Sequence, residues 1–247
     1  MDRLAHPKGQ TPANPSTPGD LVGSEVRAPQ RCRDESRHMA RMMPVSEPND
    51  VAFVVLQGDP ATSKSRLSAV LSPEQRTVLT RFCLQRITDL TEPDTLYLLA
   101  ANEQAANEGL RLDITPILQQ GADLNVAIHA IVTSSALGSY RCVTILPNDL
   151  PFLTSLEAYR QRPTARVSLV TPDSHLSGTN LLRVPTSVHD PIFAYGQDSF
   201  FHHIQGAKAR ELAVAVTPCP SAFDIDTPED LILAREIFPD SELWDLL

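Results

Sequence analysis

Hydrophobic residues occur along this chain in short unbroken runs, separated by segments where they recur at helical spacing. Residues 51–56 form one such run, which is typical of a strand buried on both faces of a sheet. The same pattern predicts further strands at 96–100, 142–146, 167–170 and 214–216. Helices are predicted from Ser72 onward and at 102–109, 124–132, 153–162, 199–212 and 228–238. Strands that alternate with helices indicate an α/β fold with a mostly parallel sheet.

The first 48 residues differ from the rest of the chain. They contain seven prolines and few large aliphatic side chains, so they bury too little apolar surface to offset the entropy of ordering. We therefore expect a disordered tail over 1–48 and one domain over 49–247.

Charge and cysteine usage exclude several classes of protein. A formal net charge of -9 argues against non-specific nucleic-acid binding, which needs clustered Lys and Arg. No apolar run approaches the roughly 18 residues that span a bilayer. The four cysteines have neither disulfide-framework nor metal-ligand spacing. We expect a cytoplasmic protein that binds neither nucleic acid nor membrane.

Three aspartates are the main candidates for chemistry. Asp149 lies three residues beyond the predicted strand 142–146, where α/β folds gather ligands. In an extended segment Asp224 and Asp226 would point to the same side, and a divalent cation would relieve their repulsion. Ordinary alternatives remain open: Asp149 could bond turn amides, and Asp226 or Thr227 could cap the helix that starts at Pro228.

Several loops carry candidate anion-binding groups. Lys64 and Arg66 follow the first strand, where they could neutralise nucleotide phosphates or be solvated loop charges. Residues 177–180 combine Gly178 with hydroxyl and amide side chains. Gly196 precedes a predicted helix N-terminus at Ser199, which favours either a bound phosphate or simple capping by Ser199.

Taken in order, these segments resemble the guanylyltransferases of coenzyme F420 biosynthesis, which act on 2-phospho-L-lactate, phosphoenolpyruvate or 3-phosphoglycerate. The resemblance runs from about residue 51 to residue 238. It rests on residues 64–67 with 71–74, 123–125, 146–151, 178–180, 196–200 with His203, and 224–231. It implies a single three-layer nucleotidyltransferase domain of glycosyltransferase-A type, and GMP transfer from GTP to the phosphate of a small phosphorylated carboxylic acid with release of pyrophosphate.

The resemblance also implies roles for individual residues. Mg²⁺ would be held by Asp149, Asp224 and Asp226, against the carboxylate of the acid. The phosphate of the acid would bind to Thr179, Gly196 and Ser199. The nucleotide would be contacted by Lys64, Arg66 and Asn125. His203 is expected to pack or cap locally. A further expected partner is the next enzyme of the pathway, which would consume an unstable product.

One stretch departs from the family pattern. Members usually carry a lysine soon after the first strand, in a Val-Pro-Val-Lys pattern, whereas this chain has Gln57 and Gly58 at the matching place. Two alternatives stay open at this point. The first is a nucleotidyltransferase for a molybdopterin-type or sugar-phosphate acceptor, although those families usually have a Gly-Gly loop here. The second is a nucleotide-binding regulatory protein that has lost catalysis.

Overall fold

The computed structural model describes residues 50–91, 95–161 and 166–247, and the tail predicted over 1–48 lies outside them. The strands are β1 (Val51–Gln57), β2 (Leu96–Ala100), β3 (Thr115–Leu118), β4 (Cys142–Pro147), β5 (Val167–Pro172), β6 (Thr179–Pro185) and β7 (Ala213–Val216). The helices are α1 (Pro73–Asp89), α2 (Glu103–Leu110), α3 (Leu124–Val132), α4 (Glu157–Arg160), α5 (Ser199–Ala209), α6 (Pro228–Ile237) and α7 (Leu243–Leu246). A short 3-10 helix, Ser65–Ala69, precedes α1.

The seven strands form one sheet in the order β3-β2-β1-β4-β6-β5-β7. Strand β6 is antiparallel to both of its neighbours, β4 and β5, and every other pairing is parallel. The prediction of a mostly parallel α/β sheet is confirmed. Because β6 runs in the opposite direction, its first residue lies at the edge of the sheet where the parallel strands end.

Strand β1 shows why the fold has three layers. Phe53 and Val55 pack in a cluster with side chains of α1 and α2, whereas Ala52 and Val54 pack with side chains of α3 on the other face. Successive residues of a strand point to opposite faces, so a run that is apolar throughout needs cover on both sides. No helix of the described ranges is long and apolar enough to cross a bilayer.

A third apolar cluster lies beneath the loops at the carboxyl edge of the sheet. It contains Leu67, Phe152, Phe223 and Ile225, together with residues of α1, α6 and α7. The Phe152 ring stacks on Phe238 with 4.1 Å between ring centroids. This cluster anchors the three loops that carry Lys64, Asp149 and the pair Asp224 and Asp226.

Local signals at the start of α1 are confirmed. The Ser72 hydroxyl accepts a hydrogen bond from the Gln75 amide at 3.2 Å, and the Gln75 side chain accepts one from the Ser72 amide at 3.0 Å. This reciprocal capping box, followed by Pro73 in the first turn, fixes where the helix begins.

Two strands and one helix differ from the predictions. Strands β3 and β6 were not predicted, and residues 177–180, expected as a loop, include the first two residues of β6. The helix expected over 153–162 is only Glu157–Arg160 among the described residues. The expected first turn is not helical: the Thr154 amide donates to Ser221, and the Leu153 carbonyl accepts from Arg86. The Arg86 bond uses the Leu153 carbonyl, which a helix beginning at residue 153 would have paired within its first turn.

Candidate active site

The predicted site residues gather at the carboxyl edge of the sheet. Lys64 lies in the loop after β1, and Asp149 follows the end of β4. Thr179 is the first residue of β6, which places it at the same edge because β6 is antiparallel. Ligands of open α/β sheets bind at this edge.

A first group, which we call the carboxylate cluster, consists of Lys64, Asp149, Asp224 and Asp226. The Lys64 ammonium lies 2.9 Å from an Asp226 oxygen and 3.4 Å from an Asp149 oxygen, and it donates to the Ile225 carbonyl at 2.6 Å. Its side chain is only 6% exposed. Lys64, predicted to contact nucleotide phosphates, thus lies among the carboxylates in this structure.

Burial and charge act against each other in this cluster. The pKa of Asp149 is raised to about 6, chiefly by burial; Lys64 opposes the rise, and the nearby carboxylates of Asp226 and Asp224 contribute to it. Burial works against a charged Lys64, but the carboxylates of Asp149 and Asp226 outweigh it and hold the lysine pKa well above its usual range. The lysine is therefore charged and acts as a counter-ion for Asp149 and Asp226.

Asp224 is held from the other side by strand β6. The buried Asn180 amide nitrogen donates to the Asp224 carboxylate at 2.9 Å and to the Ala222 carbonyl at 2.7 Å. Burial raises the pKa of Asp224, and the bond from Asn180 partly offsets that rise. Ile225 is fully buried between Asp224 and Asp226, so the two carboxylates share the side away from the core, as alternation predicts.

Helix capping does not account for the aspartates. The Thr227 hydroxyl accepts from the Asp230 amide, and the Asp230 carboxylate accepts from the amides of Thr227 and Asp226. The cap of α6 therefore uses Thr227 and Asp230 and leaves the side chain of Asp226 to Lys64. Asp149 does not bond turn amides with its carboxylate either: its Oδ2 lies against Lys64, and its buried Oδ1 has no hydrogen-bond partner among the described residues.

Thr179, Ser199 and His203 form a second group, which we call the hydroxyl cluster. All three side chains are buried. Thr179 Oγ1 lies 2.9 Å from His203 Nδ1 and 3.3 Å from Ser199 Oγ. Ser199 does not cap α5, since the N-cap residue is Asp198 and it makes no side-chain cap bond. The predicted phosphate-binding residues Thr179 and Ser199 are thus in direct contact.

The turn before Thr179 is shaped by Asp173. Its carboxylate accepts hydrogen bonds from the amides of His175, Ser177 and Gly178. A Cβ on Gly178 would lie 2.5 Å from Asp173 Oδ2, so this close approach requires glycine. The turn therefore fixes where β6 starts and where Thr179 lies.

The remaining predicted residues lie around these two clusters. The Asn125 side chain bonds Tyr195 at both ends, accepting from its amide at 2.7 Å and donating to its carbonyl at 3.1 Å. It thereby ties the start of α3 to the loop of Gly196, whose φ of 131° is a conformation that glycine tolerates. Arg66 is exposed on the short 3-10 helix Ser65–Ala69, which begins directly after Lys64.

Comparison with known proteins decides the family. Residues 53–238 match the model of the family described as guanylyl transferase CofC like. The chain belongs to this family. A phosphoenolpyruvate guanylyltransferase of Rubrobacter xylanophilus is 34% identical over 181 residues, covering 68% of this chain and 85% of the relative.

Relatives in the family are named for different acids. A 2-phospho-L-lactate guanylyltransferase of Methanothermobacter thermautotrophicus is 28% identical, covering 68% of this chain and 77% of its own length. A 3-phospho-D-glycerate guanylyltransferase of Colwellia psychrerythraea is also 28% identical, covering 73% and 89%. A solved structure from Desulfovibrio desulfuricans G20, described as a nucleotide-diphospho-sugar transferase, matches with a TM-score of 0.63 and 18% identity, covering 79% of this chain and 93% of that one. That likeness shows the α/β nucleotidyltransferase fold.

Sequence reasoning predicted no binding or positioning role for three residues of the site. Asn180 stood in the family pattern beside Thr179 without an assignment, and His203 was expected only to pack or cap. Asp173 had a local signal, because an aspartate before a polar turn that ends in glycine is typical of a side chain that caps turn amides. The partner of Asn180 lies 44 residues away, so that contact had no local signal.

We predict that Lys64→Met destabilises the metal-free protein. The change leaves Asp149 and Asp226 close together without a counter-ion, and breaking a buried ion pair from one side costs about 3 kcal/mol. Methionine keeps the length of the side chain, and the left-handed backbone at residue 64 suits it no worse than lysine. Urea unfolding at pH 7 with a chelator measures the effect.

The control for this variant is Lys208→Met, which removes an exposed lysine from α5. It should change the free energy of unfolding by less than about 0.5 kcal/mol. Equal stability of Lys64→Met and the control would refute the counter-ion role of Lys64.

Proposed function

We propose that this protein transfers GMP from GTP to the phosphate of phosphoenolpyruvate, 2-phospho-L-lactate or 3-phospho-D-glycerate, and releases pyrophosphate. The observation that carries the proposal is that the two clusters adjoin at the start of β6. Thr179 belongs to the hydroxyl cluster, and the next residue, Asn180, holds Asp224 of the carboxylate cluster. A small acid with a phosphate at one end and a carboxylate at the other has groups for both clusters. Three relatives named for such acids support this assignment.

The phosphate of the acid would bind at the hydroxyl cluster. Thr179 and Ser199 supply hydroxyl groups, and the first turn of α5 has amide groups without a side-chain cap. The Ser199 and Phe200 amides already donate to the carbonyls of Gly196 and Ser177, so the attraction of this helix N-terminus for an anion would come mainly from the helix dipole. Gly196 lies beside this turn with open space around its Cα, so a phosphate can approach the backbone closely.

Mg²⁺ fits the carboxylate cluster by its donor chemistry. Among the described residues no three His, Cys, Asp or Glu side chains are already spaced as metal ligands. The buried Asp149 Oδ1 nevertheless has no hydrogen-bond partner within the part of the chain that the structure describes, and carboxylate oxygens are the ligands that Mg²⁺ prefers. We propose that Asp149, Asp224 and Asp226 hold Mg²⁺, which when bound would offset the negative charge of the two substrates.

The reaction needs positioning more than proton transfer. An oxygen of the acid's phosphate forms a bond to the α-phosphorus of GTP, and the bond from that phosphorus to the leaving pyrophosphate breaks. The attacking oxygen is already ionised at neutral pH, so no general base is required. The residues of both clusters therefore act by orienting two anions and excluding water from between them.

We propose that the residues that serve nucleotide binding are Arg66, Lys64 and Asn125. Arg66 is exposed and available to a triphosphate. Lys64 can reach a triphosphate only by leaving Asp149 and Asp226, which a cation bound to those carboxylates would permit. Asn125 would act through the Tyr195 loop that it holds. We further propose that the protein works in the cytoplasm in coenzyme F420 synthesis, where the next enzyme consumes its unstable product.

The test of this function is a matrix of substrates. Each of the four ribonucleoside triphosphates is incubated with Mg²⁺ and with each of the three acids or a sugar phosphate, and pyrophosphate release is measured. The proposal expects release only with GTP and at least one acid. Release with a sugar phosphate instead would support the other acceptor class, and no release with any pair would refute catalysis.

Asp149→Asn and Asp224→Asn are predicted to lower kcat by about 100-fold or more, because each removes a charged ligand of the Mg²⁺ that would offset the charge of the two anionic substrates. Circular dichroism should show an unchanged fold. Asp240→Asn, on an exposed turn after α6, is the matched control and should turn over at the wild-type rate. Turnover near the wild-type rate in both site variants would refute their proposed role.

Gly58→Lys is predicted to lower the KM for GTP by about tenfold, because a charged hydrogen bond to phosphate contributes about 1.5 kcal/mol. The position follows β1 at the site edge and has open space where a Cβ would lie. Gly58→Met adds similar length without charge and should leave the KM unchanged. If both variants behave alike, the departure from the family pattern at Gly58 does not concern phosphate binding.

A further inference from the structure

His203 uses both nitrogens of a buried ring to connect three parts of the site. Its side chain lies on α5 and the residue is 2% exposed. Nε2 accepts a hydrogen bond from the Ala194 amide at 3.0 Å, and Nδ1 lies 2.9 Å from Thr179 Oγ1. The Tyr195 ring covers the imidazole edge-on at 4.8 Å between centroids. Both ends of the ring are therefore fixed.

The Ala194 contact determines which nitrogen carries the proton. A backbone amide can only donate, so Nε2 must be the unprotonated nitrogen. Burial lowers the pKa of His203 to about 4, with a smaller contribution from His202, so the ring is neutral at pH 7. A neutral imidazole carries one N–H, which then lies on Nδ1 and donates to Thr179.

The proton count of the hydroxyl cluster follows from this tautomer. Thr179 and Ser199 have two hydroxyl protons, and the 3.3 Å contact between them uses one. His203 cannot accept the other, because its Nδ1 is already a donor. Neither hydroxyl has a further acceptor within the described part of the chain. One hydroxyl proton is left for an acceptor that does not belong to these residues.

We propose that His203 is a positioning residue that keeps the Thr179 and Ser199 pair as a donor toward the phosphate of the acid. This inference rests on the proposed function and deepens it. His203 occupies a lone pair of Thr179 and offers no acceptor, so the spare proton points away from the ring. The pair then favours a fully ionised phosphate oxygen, which only accepts, over a group that must donate.

Two variants separate this role from simple loop anchoring. His203→Asn places an amide N–H near the position of Nδ1, so it keeps the donor to Thr179 and loses the Ala194 contact. His203→Gln reaches the position of Nε2, so its oxygen keeps the Ala194 contact and the donor to Thr179 is lost. Exposed His202, the preceding residue of α5, provides the control His202→Gln.

The readouts are KM for the acid, KM for GTP, and the Kd for inorganic phosphate. We expect His203→Gln to raise the acid KM and the phosphate Kd about tenfold, since a lost hydrogen bond to an ion has about that effect. His203→Asn should stay within about threefold of wild type, and GTP KM should be unchanged in both. The control variant should match wild type throughout.

Other patterns overturn the proposal. Near-normal acid KM in His203→Gln with a defect in His203→Asn would assign the residue to anchoring Ala194. Equal defects, no defect, or a parallel rise in GTP KM would also reject it. If the wild type turns over no substrate pair, the proposed function fails, and the phosphate Kd values of the variants still decide the role of His203.

Discussion

Like charges are brought together at the carboxyl edge of this sheet, and the rest of the site depends on how their repulsion is balanced. Asp149, Asp224 and Asp226 come from two distant segments, and each is partly buried. Lys64 neutralises two of them, and Asn180 supports the third. The apolar cluster of Leu67, Phe152, Phe223 and Ile225 supplies the packing that keeps these loops together against the repulsion.

Strand β6 connects the carboxylate cluster to the hydroxyl cluster, where the substrate phosphate is proposed to bind. Because it is antiparallel, its first residues meet the ends of β4 and β5 at the site edge. Thr179 belongs to the hydroxyl cluster and the next residue, Asn180, contacts Asp224, so residues of two proposed binding functions are neighbours along the chain. A ligand that meets both clusters needs a phosphate and a carboxylate, and the proposed acids carry both.

Sequence reasoning predicts the buried parallel strands and the capped helices well, because their signals are local. Residues 51–56 and the box at Ser72 specify β1 and the start of α1 without help from the rest of the fold. Strand β6 has no such signal at its start, since polar residues 177–180 look like a loop until Asp173 and the neighbouring strands order them. The contacts of Lys64 could not be predicted from local sequence either, because its partners lie 85 and 162 residues further along the chain.

The aspartates themselves could be proposed from alternation and from the family resemblance, but their capping alternatives could be separated only by the hydrogen bonds of Thr227 and Asp230. We propose that these carboxylates form one cation site whose charge Lys64 balances in the metal-free protein. Electron paramagnetic resonance titration with Mn²⁺ tests it most directly. We expect one bound Mn²⁺ per chain, with an affinity about tenfold or more lower in both Asp149→Asn and Asp224→Asn. Equal Mn²⁺ affinity in wild type and both variants would contradict it.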